Sequence, residues 1–187
     1  MDAHVFWTTL QEPGMEHLHL TVADGAVVAT GAVLGVAGDS AFHLTYELRA
    51  ESDWRVRTCD VALVSATCGP LRLTSDGAGH WTDAAGEQLT ALDGCLEVDI
   101  SVTPFTNTLP IRRLTLATGE SREILVAYIS VPDFTTRPVR QRYTHLAQTD
   151  SGSTYRYEGL ESGFRADLAV DANGVVLDYP GIWRRVR

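Results

Sequence analysis

Four segments of the sequence alternate apolar and polar residues with a period of two. Residues 42–48 and 96–102 show the pattern most clearly, because every second residue in them is apolar. Residues 18–22 and 164–170 repeat it. Successive side chains of a β-strand point to opposite faces, so this period predicts half-buried strands. Because no segment sustains a helical period, we expect a mainly β protein.

Turn residues separate these predicted strands. Asp24-Gly25 and Asn173-Gly174 each lie between two strand patterns and are hairpin signals. Asp76-Gly77 and Asp93-Gly94 mark two further reversals of the chain. A change of apolar phase near Thr58 predicts a β-bulge, which bends a strand. The expected architecture is therefore a long, curved antiparallel sheet, of the β-roll or half-barrel type.

Two segments depart from the half-buried pattern. In residues 104–114, Thr108 can act as an N-cap, and Pro110 is tolerated in a first helical turn. We therefore expect one short helix at about residues 109–116, lying across the end or mouth of the curved sheet. Residues 124–131 are apolar at consecutive positions, which predicts a central strand covered on both faces.

Length and charge narrow the functional classes. A chain of 187 residues fits one domain, residues 1–187. The formal net charge of -9 argues against a nucleic-acid partner. All the basic residues are arginine, which excludes lysine-based chemistry. The N-terminal residues lack the pattern of a signal peptide, and the longest apolar run, 26–37, is shorter than the about 20 residues of a membrane span. We therefore expect a cytoplasmic protein with reduced cysteines (Cys59, Cys68 and Cys95).

The search for catalytic and metal-binding motifs leaves few candidates. The sequence contains no Walker loop, G-x-S-x-G, G-x-G-x-x-G or C-x-x-C motif. His17 and His19 could offer two metal ligands on one strand face, but an exposed polar face of an edge hairpin is favoured. Glu97 and Asp99 could form an acid/base pair, although pairing with arginine or solvation is favoured. We therefore predict no metal, no cofactor and no catalytic residue.

Two groups of residues are the candidates for a ligand site. The polar group contains an arginine pair that could hold an anionic head group by bidentate hydrogen bonds; its members are Asp99, Asn107, Arg112 and Arg113. In the alternative interpretation, one arginine bonds strand-end carbonyls or an acidic residue such as Glu97 or Asp99, and the other is solvated. The aromatic group would form an apolar wall with polar tips; its members are Tyr46, Trp54, Trp81 and Tyr128.

Longer stretches of the chain carry a family resemblance. Residues 92–114 read LDGCLEVDISVTPFTNTLPIRRL, and further matching segments occur in order at 7–20, 79–83, 131–133, 139–143 and 175–181. This arrangement resembles the family named "Putative glycolipid-binding", over essentially the whole chain. The resemblance implies a spiral β-roll around a helical piece, and a role in binding a glycolipid or similar amphiphile. The all-arginine basic set is typical of GC-rich bacterial genomes.

Three functional hypotheses follow. In the first, the chain is a non-catalytic binding module that holds an amphiphilic or hydrophobic small molecule on the concave face of the sheet. In the second, the same pocket belongs to an enzyme, of the cyclase, isomerase or hydrolase type, that acts on a hydrophobic metabolite. In the third, the chain is an interaction protein without a small ligand, for which a wide apolar patch would be expected.

Overall fold

A computed structural model describes residues 1–38, 40–64 and 69–187, so that Cys68 lies outside the described residues. In these residues fourteen strands form one sheet. The strands are β1 (Asp2–Thr9), β2 (Met15–Ala23), β3 (Ala26–Ala37), β4 (Ser40–Glu51), β5 (Val56–Leu63), β6 (Leu71–Ser75), β7 (Trp81–Thr82), β8 (Glu97–Ile100), β9 (Ser121–Ile129), β10 (Thr136–Thr149), β11 (Gly152–Gly159), β12 (Arg165–Asp171), β13 (Val176–Tyr179) and β14 (Trp183–Arg185).

The sheet follows the chain with one interruption. Its spatial order is β7-β6-β5-β4-β3-β2-β1-β14-β13-β12-β11-β10-β9-β8. Neighbouring strands are antiparallel, except that β8 and β9 are parallel. The predicted period is confirmed in β4, where Leu44, Tyr46 and Leu48 are buried and the residues between them are not. Asp24-Gly25 connects β2 to β3 with both residues at positive φ, as a tight hairpin requires.

The predicted bulge and curvature are both present. Arg49 pairs with Thr58 but Ala50 pairs with Val56, so Arg57 is the extra residue of a bulge in β5. The sheet curves until its two ends meet: the Val56 amide of β5 donates a hydrogen bond to the Leu96 carbonyl, just before β8, at 3.2 Å. This curvature creates a concave inner face that can enclose other elements.

Two further contacts join the ends of the sheet. The Gly94 amide donates to the Gly79 carbonyl at 2.9 Å. The Trp81 indole of β7 donates to the Cys95 carbonyl at 2.8 Å, and the Trp81 side chain is buried. Because the Trp81 side chain is buried and bonded to this segment, we regard Trp81 as a structural residue that closes the roll.

A short helix lies inside the curve of the sheet. A 3-10 turn (Phe105–Asn107) leads directly into α1 (Thr108–Leu114), and Thr115 ends the helix in the left-handed conformation at φ 45°. The prediction that Thr108 caps the helix is wrong: Asn107 holds the N-cap position and has a helical backbone, because the 3-10 turn already supplies the first turn. Thr108 is therefore the first helical residue.

The helix divides the interior into two cores. Leu109 packs with the core formed mainly by β1–β9. Ile111 packs with the second core, formed mainly by β10–β13. No helix in the described part of the chain has both the length and the apolar character needed to cross a membrane.

Two local predictions are corrected by the topology, and Trp54 lies outside the strands. The strand β9 is not central, because it is second from one end of the sheet, although the consecutive residues Val126 and Ala127 are both buried as predicted. The strand β2, which carries His17 and His19, lies between β1 and β3 and is not part of an edge hairpin. Trp54 precedes β5 in a turn, where its φ is 69°.

Candidate functional site

The inner face of the C-terminal half of the sheet holds a cavity of ≈ 300 Å³ that is open to solvent on one side. Residues of β8–β11, β13 and β14 line it, together with the segment that leads from β8 into the 3-10 turn. The turn and the helix cover the neighbouring part of the same face, so the cavity begins where this cover ends. Of the eight predicted site residues, Asp99, Asn107 and Tyr128 line it.

Asp99 is the acidic group at the floor of the cavity. The Thr106 hydroxyl and the Gln141 side-chain amide donate hydrogen bonds to its two carboxylate oxygens, at 3.1 Å and 2.6 Å. Burial raises the pKa of Asp99, and these two hydrogen bonds reduce that rise. Asp99 pairs with neither Arg112 nor Arg113. A part-buried carboxyl with a raised pKa can accept hydrogen bonds from a ligand and can also bind a proton.

Asn107 fixes the 3-10 turn that forms one wall. Its amide nitrogen donates to the Pro104 carbonyl at 3.2 Å, and its oxygen accepts a hydrogen bond from the Tyr143 hydroxyl at 2.8 Å. Asn107 is buried. These bonds use most of the capacity of its side chain, so Asn107 acts first as a structural residue of the wall.

Three aromatic rings form the opposite wall. The ring centroids of Tyr157, Phe164 and Tyr179 lie 6.1–6.5 Å apart. Burial raises the pKa of Tyr157 and of Tyr179 well above the ordinary value, so both hydroxyls keep their protons. Neither hydroxyl forms a hydrogen bond with another described residue. The wall therefore presents apolar faces and two hydroxyl groups that are free to bind a ligand.

The aromatic group chosen from the sequence includes none of these three rings. Tyr157 belongs to β11 and Tyr179 to β13, and only the intervening strand β12 brings them together. The signal in the sequence was the alternation in 164–170 and the aromatic residues of the late strands, but neither fixes the register of three strands. Gly159 also lines the cavity, and a Cβ atom there would meet the Ser162 hydroxyl at 2.6 Å.

The arginine pair predicted as part of the site has other contacts. Arg113 forms an ion pair with Glu97, whose side chain is fully buried, so the alternative of pairing with an acidic residue is confirmed for Arg113. The Arg112 guanidinium lies over the Trp54 ring, 5.3 Å from its centroid. Neither arginine lines the cavity. Glu97 and Asp99 thus have different kinds of partner: Glu97 has a charged guanidinium, and Asp99 has neutral hydrogen-bond donors.

Tyr46, Trp54 and Trp81 are buried in the first core and do not line the cavity. The Tyr46 hydroxyl donates to Glu16 at 2.6 Å. The Thr103 hydroxyl, on the cavity wall, donates to the same Glu16 oxygen at 2.7 Å.

Glu16 is a buried acid that sequence reasoning missed. Its side chain is fully buried, and burial raises its pKa to about 8, although the bonds from Tyr46 and Thr103 oppose the rise. Its second oxygen has no hydrogen-bond partner among the described residues. Glu16 alternates with Leu18 and Leu20 on the inner face of β2, so a polar residue in an apolar period was the available signal.

The histidine pair of β2 belongs to a column on the outer face. His4 of β1 lies opposite His19 of β2, and the two rings stack with centroids 4.3 Å apart. The ring nitrogens of His4 and His17 are 2.9 Å apart, and the Phe6 ring stacks on His17. Residues 1–38, 40–64 and 69–187 contain no group of three or more His, Cys, Asp or Glu side chains arranged to hold a metal ion.

Comparison with known proteins places the fold and the family. A DUF1089 family protein from Pseudomonas aeruginosa, known from a crystal structure, is similar to this chain with a TM-score of 0.79 and 41% sequence identity over 92% of each chain. Among curated proteins, no sequence matches the chain. The family model described as "Putative glycolipid-binding" matches residues 4–185. The chain therefore belongs to the family described as "Putative glycolipid-binding".

Proposed function

We propose that this chain is a non-catalytic binding protein that holds the sugar head group of a glycolipid, or of a similar amphiphile, in the cavity. The observation that carries the proposal is the combination of aromatic faces and polar groups around one hollow: Tyr157, Phe164 and Tyr179 on one wall, with Asp99 at the floor. A sugar ring matches this combination, because its C–H faces are apolar and its hydroxyl edges form hydrogen bonds.

The size of the cavity favours a head group over a whole lipid. A volume of ≈ 300 Å³ lies at the lower end of the range for small-molecule sites, about 300–1,000 Å³. Phe164 is 42% exposed at the mouth, and an exposed aromatic ring beside a cavity offers a surface for an apolar chain. We infer that the sugar enters the cavity and that the alkyl chain lies along Phe164 outside it.

Matched tyrosine variants test this proposal. Tyr157 and Tyr155 both lie on the inner face of β11, but Tyr155 stacks on His145 and does not line the cavity. In titrations with octyl glucoside below its critical micelle concentration, we expect Tyr157→Phe to weaken binding about fivefold, the equivalent of one hydrogen bond of about 1 kcal/mol. Tyr155→Phe should bind as the wild type does. Absence of octyl glucoside binding to the wild type would refute the proposal.

An enzymatic function is a second candidate, and Asp99 is the observation that favours it. A carboxyl group with a raised pKa in a cavity is a typical general acid or base. Conversion of a bound amphiphile, followed by mass spectrometry, would support this candidate if Asp99→Asn abolished the conversion and left the fold intact. A bound compound recovered unchanged from the wild type supports the non-catalytic proposal.

We also propose that residues 1–187 act as a single domain in the cytoplasm of a bacterium. Cys59 and Cys95 are buried free thiols, which is typical of a reducing compartment. The similar structure from Pseudomonas aeruginosa supports a bacterial source. Fractionation of the native host, with detection of this chain by antibody, tests the location.

A further inference from the structure

Arg137 is a cationic group at the mouth of the cavity. It lies on the inner face of β10, whose later inner residues Val139, Gln141 and Tyr143 are buried. It pairs in register with Tyr128 of β9, and its guanidinium lies over the Tyr128 ring, 5.2 Å from the centroid. Because Arg137 is at the open end of this face, its charge reaches solvent and the cavity together.

This guanidinium has no carboxylate partner among the described residues, whereas most arginines in them form ion pairs. Two acidic residues of this region already have other contacts. Glu161, on the cavity wall, accepts hydrogen bonds from the backbone amide and the guanidinium of Arg140, at 3.1–3.2 Å. Asp133 accepts the Thr135 hydroxyl at 2.8 Å.

We propose that Arg137 binds an anionic substituent of the ligand, so that the ligand class is a sugar that carries a phosphate or carboxylate group. This inference rests on the proposed function and specifies its ligand. In this arrangement the anionic group of the ligand lies at the mouth, beside Arg137 and Tyr128. The uncharged hydroxyl groups of the sugar face Asp99 and the hydroxyls of Tyr157 and Tyr179, deeper in the cavity.

The physical setting suits an anion that is recognised at close range. A guanidinium presents two parallel N–H donors that match the oxygens of a carboxylate or phosphate. Stacking on Tyr128 restricts the orientation of the guanidinium before the ligand arrives, which lowers the entropy lost on binding. The chain as a whole has a net charge of -9, so long-range attraction opposes an anion, and the selectivity must come from direct contact with Arg137.

Four probes separate the charge of the ligand from its chain: glucose, glucuronate, octyl glucoside and octyl glucuronide. In titrations of the wild type, we expect each glucuronic acid compound to bind about tenfold more tightly than its neutral counterpart, as a charge-assisted hydrogen bond provides. Arg137→Gln should remove this preference, and Arg137→Lys should retain part of it. Arg142→Gln is the matched control, because Arg142 pairs with Glu123 and Glu158 and does not line the cavity.

The outcomes distinguish this inference from the proposed function. Equal binding of octyl glucoside and octyl glucuronide to the wild type overturns the anion site and leaves the proposed function intact. Loss of the preference in Arg142→Gln as well as in Arg137→Gln also overturns it. If octyl glucoside does not bind while glucuronate binds in an Arg137-dependent way, the proposed function fails and the anion site stands. Tighter binding of octyl glucuronide than of glucuronate supports a lipid head group as the source, and equal binding supports a soluble acidic sugar.

Discussion

Replacing Glu16 with glutamine should stabilise the protein at neutral pH and should change how its stability depends on pH. Glu16 is fully buried and accepts hydrogen bonds from Tyr46 and Thr103 on one oxygen, while the other oxygen has no partner among the described residues. Burial raises its pKa from the ordinary 4.5 to about 8. The folded protein therefore keeps a proton on Glu16 at pH values where the unfolded chain has lost it.

This difference in bound protons determines whether the stability rises or falls with pH. Because the pKa is higher in the folded state, stability is greatest below about pH 4.5 and falls as the pH rises toward 8. The two pKa values imply a loss of about 3 kcal/mol between pH 5 and pH 7.5 from this one group. Glutamine does not titrate, so Glu16→Gln should lack this loss.

The substitution also has a cost that does not depend on pH. Glutamine keeps the oxygen that accepts the two hydroxyl groups, but it places an N–H group where the unpartnered carboxyl oxygen lies. An unsatisfied buried N–H group costs about 1–2 kcal/mol. We therefore expect Glu16→Gln to be no more stable than the wild type at pH 5 and about 1–2 kcal/mol more stable at pH 7.5.

Urea unfolding of both proteins at pH 5 and pH 7.5, followed by tryptophan fluorescence, measures the four free energies of unfolding. Glu87→Gln is the control, because Glu87 is exposed and forms no ion pair with a described residue. The decisive quantity is the change in the mutant-minus-wild-type difference between the two pH values. If that change is below about 1 kcal/mol, the proton on Glu16 is not retained by the fold and the reasoning is wrong.

Two further predictions concern buried contacts. Arg113→Gln should destabilise the protein by about 3–5 kcal/mol, because it leaves the Glu97 charge buried without its partner. The double variant that adds Glu97→Gln should recover much of this loss. Chemical denaturation measures both effects. Gly31→Ala should destabilise by about 1–3 kcal/mol, because the added Cβ would overlap the Tyr46 ring. Gly69→Ala, where a Cβ meets nothing within 4 Å, should have little effect on the melting temperature; equal effects at the two glycines would contradict the packing argument.

The sequence by itself determined the strand pattern and several turns. The alternation in residues 42–48 predicts the buried face of β4 correctly, because a period of two can be satisfied only by a strand with one face in the core. The phase change near Thr58 likewise indicates the bulge at Arg57. These features are local, since they depend on residues that are close in the chain.

The residues that line the cavity could be predicted only in part. Asp99, Asn107 and Tyr128 are among the residues chosen from the sequence, and they line the cavity. Arg112 was a candidate ligand residue, but its guanidinium lies over Trp54 from a turn 58 positions earlier in the chain. No local pattern indicates which face of a short helix meets which distant loop.

The tertiary structure alone decided which polar groups are neutral, paired or free. Glu16, Glu97 and Asp99 are three carboxyl groups on inner strand positions, and the sequence does not distinguish them. In the fold, Glu97 receives a guanidinium, Asp99 receives neutral donors beside a cavity, and the fully buried Glu16 receives two hydroxyl groups. Ionisation depends on burial and on neighbours from distant strands, and those are fixed only when the sheet curves and its two ends meet.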